Sequence, residues 1–231
     1  MRFSVISMIL PLSAISFSYS VSAQKTKDQY FLFDASFKAT EVNKAVYFMR
    51  LKMINDTAYQ WDTYHIMGPM IRSVTTRDKE GLIGHGETYF YKPGLGTIDS
   101  VHNYYNGLAE GTWYYFNDTG RAYLGKVYAA GNLIRTIDYF KEDSIKKEQG
   151  KEEKYEVEKE SEFRGGLAGW GRFLDRTLKY PDRALDAGVG GLVCVQFIVD
   201  AEGNIVEPRI YKSVEFSIDE EALRLLRVSL Q

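Results

Sequence analysis

The sequence predicts two folded units: a mainly-β series of aromatic hairpins over residues 24–140, then an α+β unit over 162–231 ordered helix–strand–strand–helix. Three observations carry this. Seventeen tyrosines and 13 phenylalanines favour strands over a helical bundle. Turn chemistry recurs through the first unit, at Lys92-Pro93-Gly94, Asn106-Gly107, Asn117-Asp118-Thr119-Gly120 and Gly131-Asn132. After residue 161, apolar residues recur at helical spacing at Phe163, Leu167, Trp170, Phe173, Leu174 and Leu178.

The N-terminus reads as an export signal. Arg2 is the only charge before Lys25, an apolar stretch runs from Val5 to about Phe17, and Val21-Ser22-Ala23 supplies small residues before Gln24. Ser7, Pro11, Ser13 and Ser16 interrupt that stretch, which falls short of the ~20 apolar residues that span a bilayer. A cleaved signal over 1–23 is expected, and retention as an anchor is the alternative. With cleavage, the mature chain carries no integral membrane segment.

Ala45-Val46-Tyr47-Phe48-Met49-Arg50-Leu51 and Gly86-Glu87-Thr88-Tyr89-Phe90-Tyr91 are strand signals bounded by turn residues. The second aligns with Gly111-Thr112-Trp113-Tyr114-Tyr115-Phe116, and Val101–Gly107 aligns with Leu124–Gly131. Units of roughly two dozen residues are the scale of a stacked repeat, in which each hairpin buries an aromatic face against the next. The pattern resembles MORN-type repeats and their YwqK antitoxin-like relatives. Residues 24–80 hold either a degenerate first unit or a cap. From Lys141 to Glu160, six lysines and eight acidic residues leave little to bury. Residues 141–161 are therefore read as a charged linker.

In the second unit, Tyr180-Pro181 is extended and opens a short helix through Ala184 that Gly188 caps. Leu192 to Val199 is a strand, with Val193, Val195, Phe197 and Val199 on one face. Asp200-Ala201-Glu202-Gly203-Asn204 turns the chain into a second strand, Ile205 to Tyr211. Ser217 with Glu220 reads as a capping box for a helix that turns Ile218, Ala222, Leu225 and Leu226 to the sheet.

This order of motifs resembles the C-terminal domain of TonB-type energy transducers over residues 162–228. The residues that carry the resemblance are Tyr180, Pro181, Ala184, Gly188, Gly191, Val195, Phe197, Gly203, Asp219, Glu221, Ala222 and Leu223. The resemblance implies a periplasmic binding module that adds a segment of an outer-membrane receptor as a strand at its sheet edge, with mostly structural roles for those residues. Two features depart from the family. Its third strand has no counterpart before Gln231, so a partner strand or strand exchange in a homodimer is expected to complete the sheet. No Pro-rich spacer precedes the unit. The alternative reading makes the repeats a structural scaffold or antitoxin-like binder, with the C-terminal unit serving dimerisation.

Chemistry is otherwise sparse. A net charge of −2 gives no field for nucleic acid. One cysteine, Cys194, excludes an intrachain disulfide, and no histidine lies near it in the sequence to act as its base. His65, His85 and His102 lack metal-ligand spacing. Gly188-x-Gly190-Gly191 precedes a strand, unlike a phosphate loop. Asp219, Glu220 and Glu221 are expected to complement a helix dipole. No enzyme, cofactor or metal is expected. The tyrosines of 86–128 either line a solenoid face or form a binding platform.

Overall fold

The computed structural model describes residues 28–141, 144, 162–200 and 202–229. The expected export signal and all but two residues of the charged segment lie outside them.

Ten strands form one antiparallel sheet: β1 (Gln29–Phe33), β2 (Tyr47–Asn55), β3 (Ala58–His65), β4 (Met70–Thr76), β5 (Gly84–Tyr91), β6 (Ile98–Tyr105), β7 (Leu108–Ala109), β8 (Gly111–Phe116), β9 (Ala122–Ala129) and β10 (Asn132–Asp138). Each pairs with the next in chain order, except that β8 pairs with β6 and the two-residue β7 pairs only with β6. The aligned sequence units fall on β5–β6 and β8–β9. Gly86 and Gly111 occupy matching places with φ of +100° and +64°. A side chain would strain that backbone, which accounts for glycine in both units.

Directly opposed residues share a face, so register defines two surfaces. On the first, Leu32, Phe48 and Tyr64 stand in line across β1, β2 and β3, and Phe48, Tyr64, Met70, Tyr91 and Ile98 form a buried cluster. Arg50 and Asp62 oppose each other in the adjacent row, 2.7 Å apart. On the second face, Met49, Leu51 and Trp61 form a separate cluster with Phe31 and Val74.

The C-terminal unit comprises α1 (Gly166–Thr177), α2 (Asp182–Asp186), the hairpin of β11 (Cys194–Val199) and β12 (Ile205–Lys212), and α3 (Phe216–Val228). Its turn is held by Asp200, whose carboxylate accepts from the backbone N–H groups of Asn204 at 2.7 Å and Glu202 at 3.1 Å. Leu225 and Leu226 of α3 are buried, as the sequence periodicity indicates. α1 touches α3 at one end, where the Lys179 N–H donates to Glu221 and the Arg224 guanidinium donates to the Thr177 carbonyl.

Three expectations need correction. Helix α3 is capped by Glu215, whose carboxylate accepts from the Ser217 N–H at 2.8 Å, rather than by Ser217. Glu220 turns instead to Arg50, 2.9 Å away. The strand expected from Leu192 begins at Cys194, and its pairing slips between Gln196 and Ile198. That irregularity, opposite Glu207 (φ +52°) and Pro208, leaves Phe197 38 % exposed rather than on a buried face with Val195. Leu167 is 88 % exposed, because the apolar stripe of α1 narrows to Trp170 and Phe173, which pack with Phe163.

Candidate functional site: a docked hairpin with one open edge

The two units pack directly on each other. Phe216, the first residue of α3, meets Phe48, Tyr64 and Tyr30 edge-on with centroids 5.3, 5.4 and 5.9 Å away. Such pairs add about 0.5–1.5 kcal/mol each beyond burial. Arg183 of α2 lies over the Phe48 ring, donates to the Ile66 carbonyl and pairs with the fully buried Glu215 at 2.7 Å. Arg209 reaches Tyr89 and Glu87.

Asp219 is the polar centre of this seam. It is fully buried and accepts from the Ser213 hydroxyl at 2.6 Å, the Val214 N–H at 3.1 Å and the Tyr64 hydroxyl at 3.2 Å. Ser213 in turn accepts from the Met70 N–H at 2.7 Å. Burial pushes the Asp219 carboxyl up to about 7, although these three donors favour its charged form. Burial likewise raises Tyr64, beside it, well above its ordinary value.

The seam also occupies part of the outer edge of β12. Thr97 forms a β-bridge with Lys212, the Ser213 N–H donates to the Gly96 carbonyl at 2.9 Å, and the Tyr91 hydroxyl donates to the Ile210 carbonyl at 2.8 Å. Gly96 has φ +66°, and a Cβ there would press into the Ser213 carbonyl. The outer edge of β11 differs: among the described residues no strand pairs with it. Exposed Leu192 and Ile198 flank that edge. Unpaired strand backbone is a template for another chain.

The residues singled out in the sequence separate into groups. Tyr180 donates to the Val189 carbonyl at 2.6 Å, Pro181 caps α2, and Ala184 is completely buried beneath that turn. Gly188 has φ +62°, and a Cβ at Gly191 would touch Val214 at 3.0 Å. Val195 pairs with Ile210, while Gly203 sits at φ +87° in the hairpin turn. Ala222 and Leu223 are half-buried on α3. Hydrogen bonds from Arg224 hold the Glu221 carboxyl below its ordinary range. Only Asp219 reaches the seam. Arg183, Ser213, Glu215 and Arg50 complete the seam, and sequence reading missed all four. Asp219 carried a signal: it precedes Ala222 by three and Leu226 by seven residues, which places a carboxylate on the apolar stripe of α3.

Among the described residues no three His, Cys, Asp or Glu side chains converge as a metal site, and no helix is long and apolar enough to cross a membrane. Cys194 is a free, half-buried cysteine on β11.

Fold and site together define a small α+β hairpin unit docked on an antiparallel sheet and suited to protein recognition. Residues 176–229 match the family described as Gram-negative bacterial TonB protein, C-terminal. That match covers α2, β11, β12 and α3 and makes this segment similar to a domain of envelope energy transducers. No curated protein and no solved structure matches the chain.

Proposed function

We propose that this chain is a protein-binding component of the bacterial cell envelope, exported to the periplasm, whose TonB-like unit takes an extended segment of an outer-membrane receptor as a strand along β11. The observation that carries this is the unpaired outer edge of β11 within the TonB-like match. Strand addition needs exposed backbone donors and acceptors and no catalytic group. The hairpin sheet, read as MORN-like repeats, braces the unit from the other side through β12. On this reading the chain has three parts, with 24–140 as the brace, 141–161 as a connector and 162–231 as the binding unit.

Cys194 provides the test, because it is the chain's single cysteine and opens β11. Cysteines are placed one at a time along the periplasmic segment of a co-purifying receptor, and disulfide formation with Cys194 is scored, with Cys194→Ser as blank. Strand pairing predicts a cross-link at one position of the segment, the residue opposite Cys194, with its immediate neighbours silent because they point to the other face. Uniform or absent cross-linking would sink the reading.

A further inference from the structure

We propose a second binding surface: the face of the hairpin sheet turned away from the C-terminal unit binds an extended acidic polypeptide segment, whose carboxylates are held by Arg72 and Lys126. This surface is separate from the β11 edge, and its fate is independent of the reading above.

Register builds the surface from two rows. One runs Leu51, Trp61, Val74, Thr88 and His102 across β2 to β6, then Trp113 and Lys126 on β8 and β9. The other runs Met49, Thr63, Arg72, Phe90, Ser100, Tyr115 and Leu124. The side-chain contacts made by Arg183, Arg209, Phe216, Asp219 and Glu220 all land on the opposite face.

Three polar atoms on this face are buried without a partner among the described residues: Thr63 Oγ1, Thr88 Oγ1 and His102 Nε2. Thr63 and Thr88 are only 2 % and 3 % exposed. All three are closed to solvent, so a segment laid over the face would meet the half-buried Arg72, Phe90, Tyr115 and Lys126 rather than these atoms. A fourth, Trp61 Nε1, is closed over by Gly81.

The charge pattern identifies the partner. Arg72 makes no ion pair or hydrogen bond among the described residues, and its burial holds the guanidinium below its ordinary range. Lys126 stands 5.1 Å over the Tyr115 ring. Neither row holds a carboxylate from β2 to β9. Asp99 lies on the bulge beside Ser100, and Asp138 opposes Leu124 from β10. A desolvated guanidinium with no counter-ion is a fork shaped for a carboxylate.

Ring geometry favours a peptide over a sugar or nucleobase. His102 and Trp113 stack at 4.0 Å and 7°, Tyr128 lies 4.4 Å from Trp113, and Phe90 lies 4.9 Å from His102. The His102–Trp113 pair is face to face, so those two ring faces are already occupied by each other and are closed to stacking by a sugar or base. From β4 to β9 the two cations stand about 19 Å apart, at ~4.8 Å per strand. Same-side residues of an extended chain recur every ~6.8 Å, so carboxylates six residues apart reach both.

The test uses the full chain and a fluorescein-labelled peptide of alternating Glu and Thr, followed by anisotropy, beside the Gln-Thr peptide and polygalacturonate. The expected result is binding of the Glu peptide that weakens with salt, with about tenfold loss in Arg72→Gln and a smaller loss in Lys126→Gln. Arg227→Gln, on the exposed side of α3, leaves binding unchanged. Equal binding of the Gln peptide, equal competition by polygalacturonate, or unchanged binding by a natively folded Arg72→Gln would overturn the proposal. Should Arg72→Gln fail to fold, Lys126→Gln decides, and unchanged binding there overturns it.

Discussion

The Tyr64 hydroxyl donates to the Asp219 carboxylate at 3.2 Å, joining the third strand of the hairpin sheet to the last helix across 155 residues of sequence. Both groups are fully buried, so the two units share one desolvated polar network rather than two wetted surfaces. Such a network is costly to leave half satisfied.

Stability should therefore fall as pH rises through this network. The folded Asp219 carboxyl sits at about 7, above its ordinary 3.8, so its contribution is complete below about pH 4 and is lost progressively up to about pH 7. At ~1.4 kcal/mol per pH unit, the loss over that window has a ceiling of about 4 kcal/mol. Urea midpoints of wild type and Asp219→Asn from pH 4 to 8 check this. The difference between them should change across the window and stay flat above it. A pH-independent difference would contradict the assignment.

Glu215 holds two roles at once, capping α3 and neutralising Arg183. Glu215→Ala should cost about 2–4 kcal/mol, combining a lost cap with a broken pair that is buried on one side. Glu215→Gln keeps an oxygen for the Ser217 N–H and should cost less. The ranking of the two in chemical denaturation separates cap from charge.

At the β12 edge, Gly96→Ala should be far worse than Gly94→Ala. Both glycines have positive φ, but a methyl at Gly94 meets nothing within 4 Å, whereas one at Gly96 meets the Ser213 carbonyl. Gly94→Ala should cost about 1 kcal/mol of backbone strain. Gly96→Ala should additionally open the seam, seen as faster hydrogen exchange at the Ser213 amide.

Truncating Phe216 tests whether aromatic packing holds the units together. Phe216→Ala should lose about 2–3 kcal/mol, since its ring contacts three others. Leu167→Ala, on the exposed side of α1, should stay within about 0.5 kcal/mol. Thermal melts of the two variants side by side provide the comparison.

Much of the local structure is legible in the sequence because it is decided locally. Asn106-Gly107 turns through its own left-handed backbone, Asp200 holds its turn with its own carboxylate, and Pro181 and Gly188 bound α2 by their fixed or permissive φ. The seam is illegible for the opposite reason. Glu215 becomes the cap because Arg183 arrives from α2 to neutralise it, and Glu220 leaves the capping box because Arg50 lies across the seam. No window of sequence contains both members of these pairs. The Leu167 stripe misleads because periodicity reports a helix but not whether anything packs against it.

The bridge from Thr97 to Lys212 and the bond from Ser213 to Gly96 also set a valency. A two-stranded hairpin with both margins bare could pass a pairing surface from copy to copy without end. With one margin occupied in cis, the C-terminal hairpin has a single margin left to offer. Strand pairing beyond this hairpin is thereby confined to one side, so two copies joined edge to edge through it would close a pair rather than seed a chain.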